Sequence, residues 1–244
     1  MKIVVVNPSK FWRKILKNIF KIWYTKGDFL LNEYKTVLCE YRAEIIEKKS
    51  KFIATLRHVT TQDEALAFIE EMRTEFWDAT HNVYAYTLVD GNIKRYSDDG
   101  EPSGTSGVPS LNVLEGEGLL DVCVVITRYF GGTLLGTGGL VRAYSDSVKK
   151  VVECADVVNR YLCDKIILSC DYNVWGKVMN YISANSIPLG DVIYTDKVCA
   201  EVFEKIDLSD KLIANIIEKT DALCSCEKNE QLFINVGIDG KIIK

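Results

Sequence analysis

From Tyr34 onward, hydrophobic and polar positions alternate in recognisable periods. AEIIEK and KFIATLRHV read as two strands joined by the polar KKS turn. Residues 61–76 change to helical spacing: Ala65, Leu66, Phe68, Ile69 and Met72 form a stripe, with Thr60 or Thr61 as the cap. NVYAYTLV and NIKRYS read as a hairpin around Asp90-Gly91. A short helix is expected over 109–115, opening at Pro109. The unbroken apolar run VCVVIT predicts a central strand with no exposed face. Gly138 to Val152 predicts a helix with Leu140, Val141, Tyr144, Val148 and Val151 inward.

The pattern restarts after ECADVVNRY. Strand, helix, strand, strand, helix, strand follow as YLCDKIILSCDY, VWGKVMNYISAN, IPLGDVIYTD, KVCAEVFEKI, SDKLIANIIEKTD and QLFINVGID. This is the βαββαβ plan of a ferredoxin-like module, with Ser209 as cap of its second helix and one sheet face left open. The expected class is α+β. The expected organisation is a segment 1–31, a domain 32–156 and a domain 161–244, divided near Asp156–Arg160.

Residues 1–30 follow a different rule. They hold seven Lys/Arg against one Asp, and KFWRKILKNIFKIWYTKGD places Trp12, Ile15, Leu16, Ile19 and Trp23 on one helical face. The segment reads as an interfacial membrane helix, a partner-binding helix, plain scaffold, or residues ahead of a true start near Leu31. No stretch approaches the ~20 uncharged residues of a membrane span. Residues 31–160 carry fourteen basic against twenty acidic side chains, and 161–244 nine against thirteen. Such an acidic body argues against a generic nucleic-acid clamp while leaving room for a local basic patch. The eight cysteines contain no CxxC pair and only two histidines accompany them, so reduced, structural thiols are the expectation, in a cytoplasmic setting, without metal or cofactor.

Candidate chemistry concentrates between residues 81 and 146. Eleven of the sixteen glycines fall between Gly91 and Gly139, where each costs chain entropy and adds no packing. Asp98, Asp99 and Glu101 put three carboxylates in four residues. They suit a tight turn, a partner contact, or acid–base or cation work. His81, oriented by Asp78, is a candidate base or a structural residue. Gly136, Thr137, Gly138 and Gly139 run into a helix, whose first-turn N–H groups attract anions; close helix–strand packing is the alternative. Arg128 and Arg142 can add charge-assisted contacts. Tyr96, Tyr129, Phe130 and Tyr144 lie near the glycine segments for stacking or for the core. Ser103, Thr105 and Ser106 lack the GxSxG setting of a nucleophile. His81, Asn82, Asp98, Asp99, Glu101, Arg128, Tyr129 and Arg142 are thus expected to form one functional surface.

RYSDDGEPSGTSG, followed by VVITRYFGGTLLGTGGLVRAYSDSVKKV and preceded by KSKFIATLRHVTTQDEALAFIEEMRTEFWDATHNVYAY, resembles the signature of the IMPACT/YigZ family. The resemblance covers about Asn32 to the C-terminus. It implies a first domain like domain IV of elongation factor G and a smaller ferredoxin-like second domain. It also implies translation: eukaryotic relatives compete for an activator of a translation-initiation kinase. The expected role is therefore a regulatory or binding protein contacting RNA, the ribosome or a translation factor. The alternative is an enzyme on a small phosphorylated substrate, with the glycine-rich helix start holding phosphate and His81, Asp99 or Glu101 moving protons.

Overall fold

The computed structural model describes residues 31–236. The chain divides at Leu31/Asn32, and every element below belongs to the unit Asn32–Lys244. The amphipathic segment expected over 1–30 lies outside the described residues.

The elements are β1 (Glu33–Val37), β2 (Tyr41–Glu47), β3 (Ser50–His58), α1 (Gln62–Glu75), β4 (His81–Leu88), a 3-10 turn (Asp90–Asn92), β5 (Ile93–Ser97), α2 (Gly107–Gly116), β6 (Val122–Tyr129), α3 (Thr137–Cys154), β7 (Val157–Cys170), α4 (Tyr172–Ala184), β8 (Leu189–Tyr194), β9 (Val198–Lys205), α5 (Ser209–Lys219) and β10 (Cys224–Val236). The class is α+β, with two antiparallel five-stranded sheets.

The first sheet has the order β2-β3-β6-β4-β5. Its central strand is the VCVVIT run, buried on both faces. On one face Phe68, Ile69 and Met72 of α1 pack against Tyr86, Leu88, Cys123 and Val125. On the other, Val113 and Leu114 of α2 and Leu140, Tyr144 and Val148 of α3 pack against Phe52, Ala54, Val83, Val124 and Ile126. Each such large apolar side chain contributes roughly 1.5–3 kcal/mol by leaving water.

Local chemistry fixes the ends. Lys48 and Lys49 both take positive φ in the β2–β3 turn, which matches the strand twist. Thr61 caps α1 by accepting from Glu64 N–H at 3.2 Å, and the Glu64 carboxylate returns to Thr60 N–H at 2.7 Å. Leu66 and Val141, expected inward, are exposed. Both sit at the margin of stripes whose centres, Ala65–Phe68–Ile69–Met72 and Leu140–Ala143–Tyr144–Val148, already fill the interface. The helix expected from Pro109 begins two residues earlier because Asp98, far back in the chain, accepts from Ser106 N–H and Gly107 N–H.

In the second sheet, β7 is flanked on one edge by β9 and β1 in succession and on the other by β10, with β8 outside β9. The succession from β7 to β10 is βαββαβ. α4 and α5 cover one face through Val174, Val178, Ile182, Leu212 and Ile216. Three corrections arise here. Val157–Arg160 are no linker: they open β7 and pair with β1. β1 therefore joins the second sheet although it precedes the first. Ser209 is the first residue of α5 and not its cap; its hydroxyl donates to Asp164 at 2.5 Å and fastens the helix to β7. Also, β10 begins at Cys224, where the polar run CSCEKNE hides a strand bent by a register shift between Lys228 and Gln231.

Candidate functional site

The register sets Phe52 of β3, Arg128 of β6 and His81 of β4 side by side, so their side chains share the face that carries α2 and α3. The loop between β5 and α2 folds over this row. Gly100, at φ +86, lies so close that a Cβ there would come 3.5 Å from the His81 ring.

Each acidic residue of that loop has a separate task. Asp98 ties the loop: it accepts from Gly104 N–H, Ser106 N–H, Ser106 Oγ and Gly107 N–H at 2.6–3.1 Å. Burial works against its charge, but these four donors hold its carboxyl below the usual carboxylate range. Asp99, at positive φ, accepts from Asn82 N–H at 2.6 Å and faces Arg73 at 3.4 Å. Its backbone carbonyl takes the His81 Nδ1 hydrogen at 2.7 Å. Since that carbonyl can only accept, Nδ1 donates and Nε2 is the free ring position.

Glu101 is 7% exposed and Arg128 5%. The Arg128 guanidinium and the Tyr144 hydroxyl both donate to Glu101 Oε1, at 2.5 and 2.8 Å. His81 Nε2 stands 3.9 Å from the same oxygen. Phe52 backs the pair, with its ring 5.4 Å from the guanidinium and edge-on to Tyr144 at 5.2 Å. Arg128 Nε is buried with no hydrogen-bond partner among the described residues. Burial first, and then the adjacent Glu101 charge, push the Tyr144 phenol up, so it stays a donor.

The structure thus brings together His81, Asn82, Asp98, Asp99, Glu101 and Arg128. Two expected members lie elsewhere. Tyr129 alternates to the opposite side of β6 and donates to Asp78 at 2.8 Å, so Asp78 orients Tyr129 and not His81. Arg142 is exposed on α3, away from the buried stripe that holds Tyr144. Of the candidate hydroxyls, Ser106 is consumed by Asp98 and Thr105 donates to Pro102 O at 2.6 Å. Tyr144 is the residue that sequence reading undervalued. Its signal was a single hydroxyl inside an apolar helical stripe, which must find a partner when buried.

The glycines separate by cause. A Cβ at Gly107 would sit 2.9 Å from Ser97 O, and one at Gly131 2.0 Å from the Lys49 carbonyl carbon, so both serve close backbone packing. Gly136 needs its φ of +71 to start α3. Gly139 would press a Cβ on Leu135 at 3.1 Å. At Gly138 a Cβ would meet nothing within 4 Å. Gly136, Thr137 and Gly138 are exposed, and among the described residues no side chain caps this helix start. In the loop that leads to it, Phe130 is 47% and Leu134 82% exposed. Among the described residues no helix is long and apolar enough to cross a membrane.

The Impact N-terminal domain family matches residues 48–152, the span that contains all of these groups. The IMPACT family member YvyE of Bacillus subtilis is 36% identical over 211 residues, covering 86% of this chain and 97% of that protein. YigZ of Escherichia coli is 40% identical over 129 residues, covering 52% of this chain and 63% of its own length. A solved structure described as a hypothetical protein superposes with a TM-score of 0.54 at 28% identity, over 82% of this chain and 99% of that one. A match of that identity over nearly the whole of YvyE places the chain in the IMPACT family.

Proposed function

We propose that this chain is a cytoplasmic, translation-associated binding protein, and that it contacts RNA of the ribosome or of a translation-factor complex. Its likeness to domain IV of elongation factor G and to a ferredoxin-like module belongs to the same reading. The observation that carries it is the seating of Gly131 against the Lys49 backbone. That approach puts the turn of Lys48 and Lys49, both exposed and outside any ion pair among the described residues, against the loop that holds exposed Phe130 and leads into the glycine-rich start of α3. Ammonium groups for phosphate next to an aromatic face for bases is the equipment of sequence-tolerant single-strand binding. The carboxylates favour the same reading. Glu101 is neutralised by Arg128, and Asp98 is spent on the loop, so neither is a free catalytic group.

Titration of ribosomes and of a single-stranded ribosomal RNA fragment with the full chain tests this. The Lys48→Ala/Lys49→Ala variant should bind more weakly, and its salt slope should fall by ~0.7 for each phosphate that is no longer neutralised. Equal binding by parent and variant at every salt concentration would refute it. The enzyme reading rests on one observation, the free Nε2 of His81 facing Glu101. It gains if the parent, and not a His81→Gln variant, turns over a phosphorylated metabolite.

A further inference from the structure

Cys170, Cys224 and Cys226 lie together in the core between the second sheet and its helices, remote in the fold from the surface described above. Cys170 ends β7, Cys224 opens β10, and the register sets them directly opposite. Cys226, two residues on, shares the Cys224 side of β10. The kind of pairing follows from the backbone. Leu162 N–H donates to Asn32 O at 2.8 Å, and Leu162 C=O accepts from Ile206 N–H at 3.3 Å, so both its backbone groups point to the β1/β9 edge. Alternate residues repeat that direction, and the β7–β9 register is unbroken from Cys163 to Cys170. Cys170 therefore also turns its backbone to β9. Toward β10 it makes a non-hydrogen-bonded pair with Cys224, the kind whose Cα atoms approach to ~4.5 Å. That is inside the ~4.4–6.8 Å that a disulfide spans, whereas Cys224 and Cys226 stand at about its outer limit.

The three thiols are not equivalent. Cys170 and Cys224 are buried, and Cys226 is partly buried. Burial first, then the Cys224 thiol, push Cys170 up to about 11. The neighbouring Cys226 and burial raise Cys224. The neighbouring Cys224 lowers Cys226 against the opposing effect of burial. The least buried of the three is thus the one held toward thiolate, with Cys224 two residues away on the same side of the strand and Cys170 across the ladder from Cys224.

We propose that Cys170, Cys224 and Cys226 form a peroxide-responsive site that ends as a Cys170–Cys224 disulfide between β7 and β10. The Cys226 thiolate attacks one oxygen of hydrogen peroxide. The O–O bond breaks, Cys226 becomes a sulfenic acid, and hydroxide leaves to take up a proton as water. The Cys224 sulfur then displaces the sulfenic oxygen as a second water, giving a Cys224–Cys226 bond. Cys170 attacks Cys224 and releases the Cys226 thiolate. Two thiols lose two electrons and two protons, and one peroxide becomes two waters. The product closes a loop holding α4, β8, β9 and α5, and fastens the two strand ends from which that loop departs.

Peptide mapping of the full chain after brief hydrogen peroxide treatment tests this. The expected product lacks two hydrogens, joins the Cys170 peptide to Cys224, leaves Cys226 a free thiol, and reverts with a dithiol reductant. Cys226→Ser should form that link about tenfold more slowly, because the least buried of the three thiols, the one peroxide meets first, is gone. Cys224→Ser should stop at a Cys226 sulfenic acid that a cyclic dione traps. The proposal fails if exposed Cys39 and Cys154 oxidise while the three core thiols do not, or if Cys226→Ser forms the link at the parental rate. The parental mapping needs no variant, so a misfolded Ser variant cannot mask the result.

Discussion

The Tyr34 hydroxyl donates to the Asp121 carboxylate from 87 positions away. Tyr34 is in β1 of the second sheet, and Asp121 leads into β6 of the first. Arg160 of β7 donates to the same hydroxyl at 3.0 Å, and Val89 N–H donates to the other Asp121 oxygen at 2.8 Å. The Tyr34 and Asp121 side chains are buried. This small polar network joins the two sheets, together with the Leu120 N–H bond to Lys35 O and the Thr36–His58 contact. Removing one hydroxyl orphans both an acceptor and a donor. Tyr34→Phe should lower stability by ~1.5–3 kcal/mol, the worth of a hydrogen bond to a charged group. Urea unfolding followed by circular dichroism would show it, and an unchanged midpoint would mean that this hydroxyl adds nothing to the junction.

The same junction carries a pH dependence. Burial, then the nearby Arg160 charge, hold the His58 ring below its ordinary value of 6.5, while Asp121 and Glu64 pull the other way. Thr36 Oγ1 lies 2.9 Å from His58 Nδ1. A ring that resists protonation in the folded state binds more protons when unfolded, so stability rises with pH across the interval between the two values. The His58 contribution is complete above about pH 6.5 and drains away as pH falls from there to the folded-state value. Urea midpoints at pH 7.5 and 5.5 should differ in the parent, and by less in His58→Asn. Equal pH sensitivity in both would assign the effect to other groups.

Read from sequence, Arg128 is a cation of a functional surface, and its burial against Glu101 gives it a part in folding as well. Arg128→Ala would leave a carboxylate enclosed with only the Tyr144 hydroxyl, at a cost of about 3–5 kcal/mol. Adding Glu101→Gln should recover much of that stability, since the neutral amide no longer needs the guanidinium. Thermal melts of the two single variants and the double variant form the cycle. Strict additivity would mean the two residues do not act as a pair.

The first sheet was legible because its signals are local. The KKS turn, the Thr61 cap and the VCVVIT run each carry their own geometry. What escaped reading was non-local. β1 looks like the opening strand of the first half, and only the Tyr34–Asp121–Arg160 contacts reveal where it pairs. CSCEKNE looks like a polar loop because its bulge breaks the alternation. In the candidate site, the sequence marks His81, Asp99 and Glu101 by type alone. That Arg128 neutralises Glu101, and that Tyr129 points away while Tyr144 points in, depends on pleat and helix phase across three elements.

Gly131 and Gly138 separate packing from binding. A methyl group at Gly131 would overlap the Lys49 backbone, so Gly131→Ala must push the loop off the β2–β3 turn. It should lose stability and RNA binding together. Gly138 is different: it is helical, it has room for a side chain, and nothing among the described residues asks for glycine there. Alanine should stabilise that helix by about 0.5–1 kcal/mol, because it removes the entropy cost of glycine. If the glycine is kept so that a ligand can approach the first-turn N–H groups, Gly138→Ala will melt later and bind RNA more weakly. Opposite signs in the two measurements, made on one variant, would mark Gly138 as part of a contact surface. Gains in both, or undiminished binding, would return the helix start to a purely architectural role.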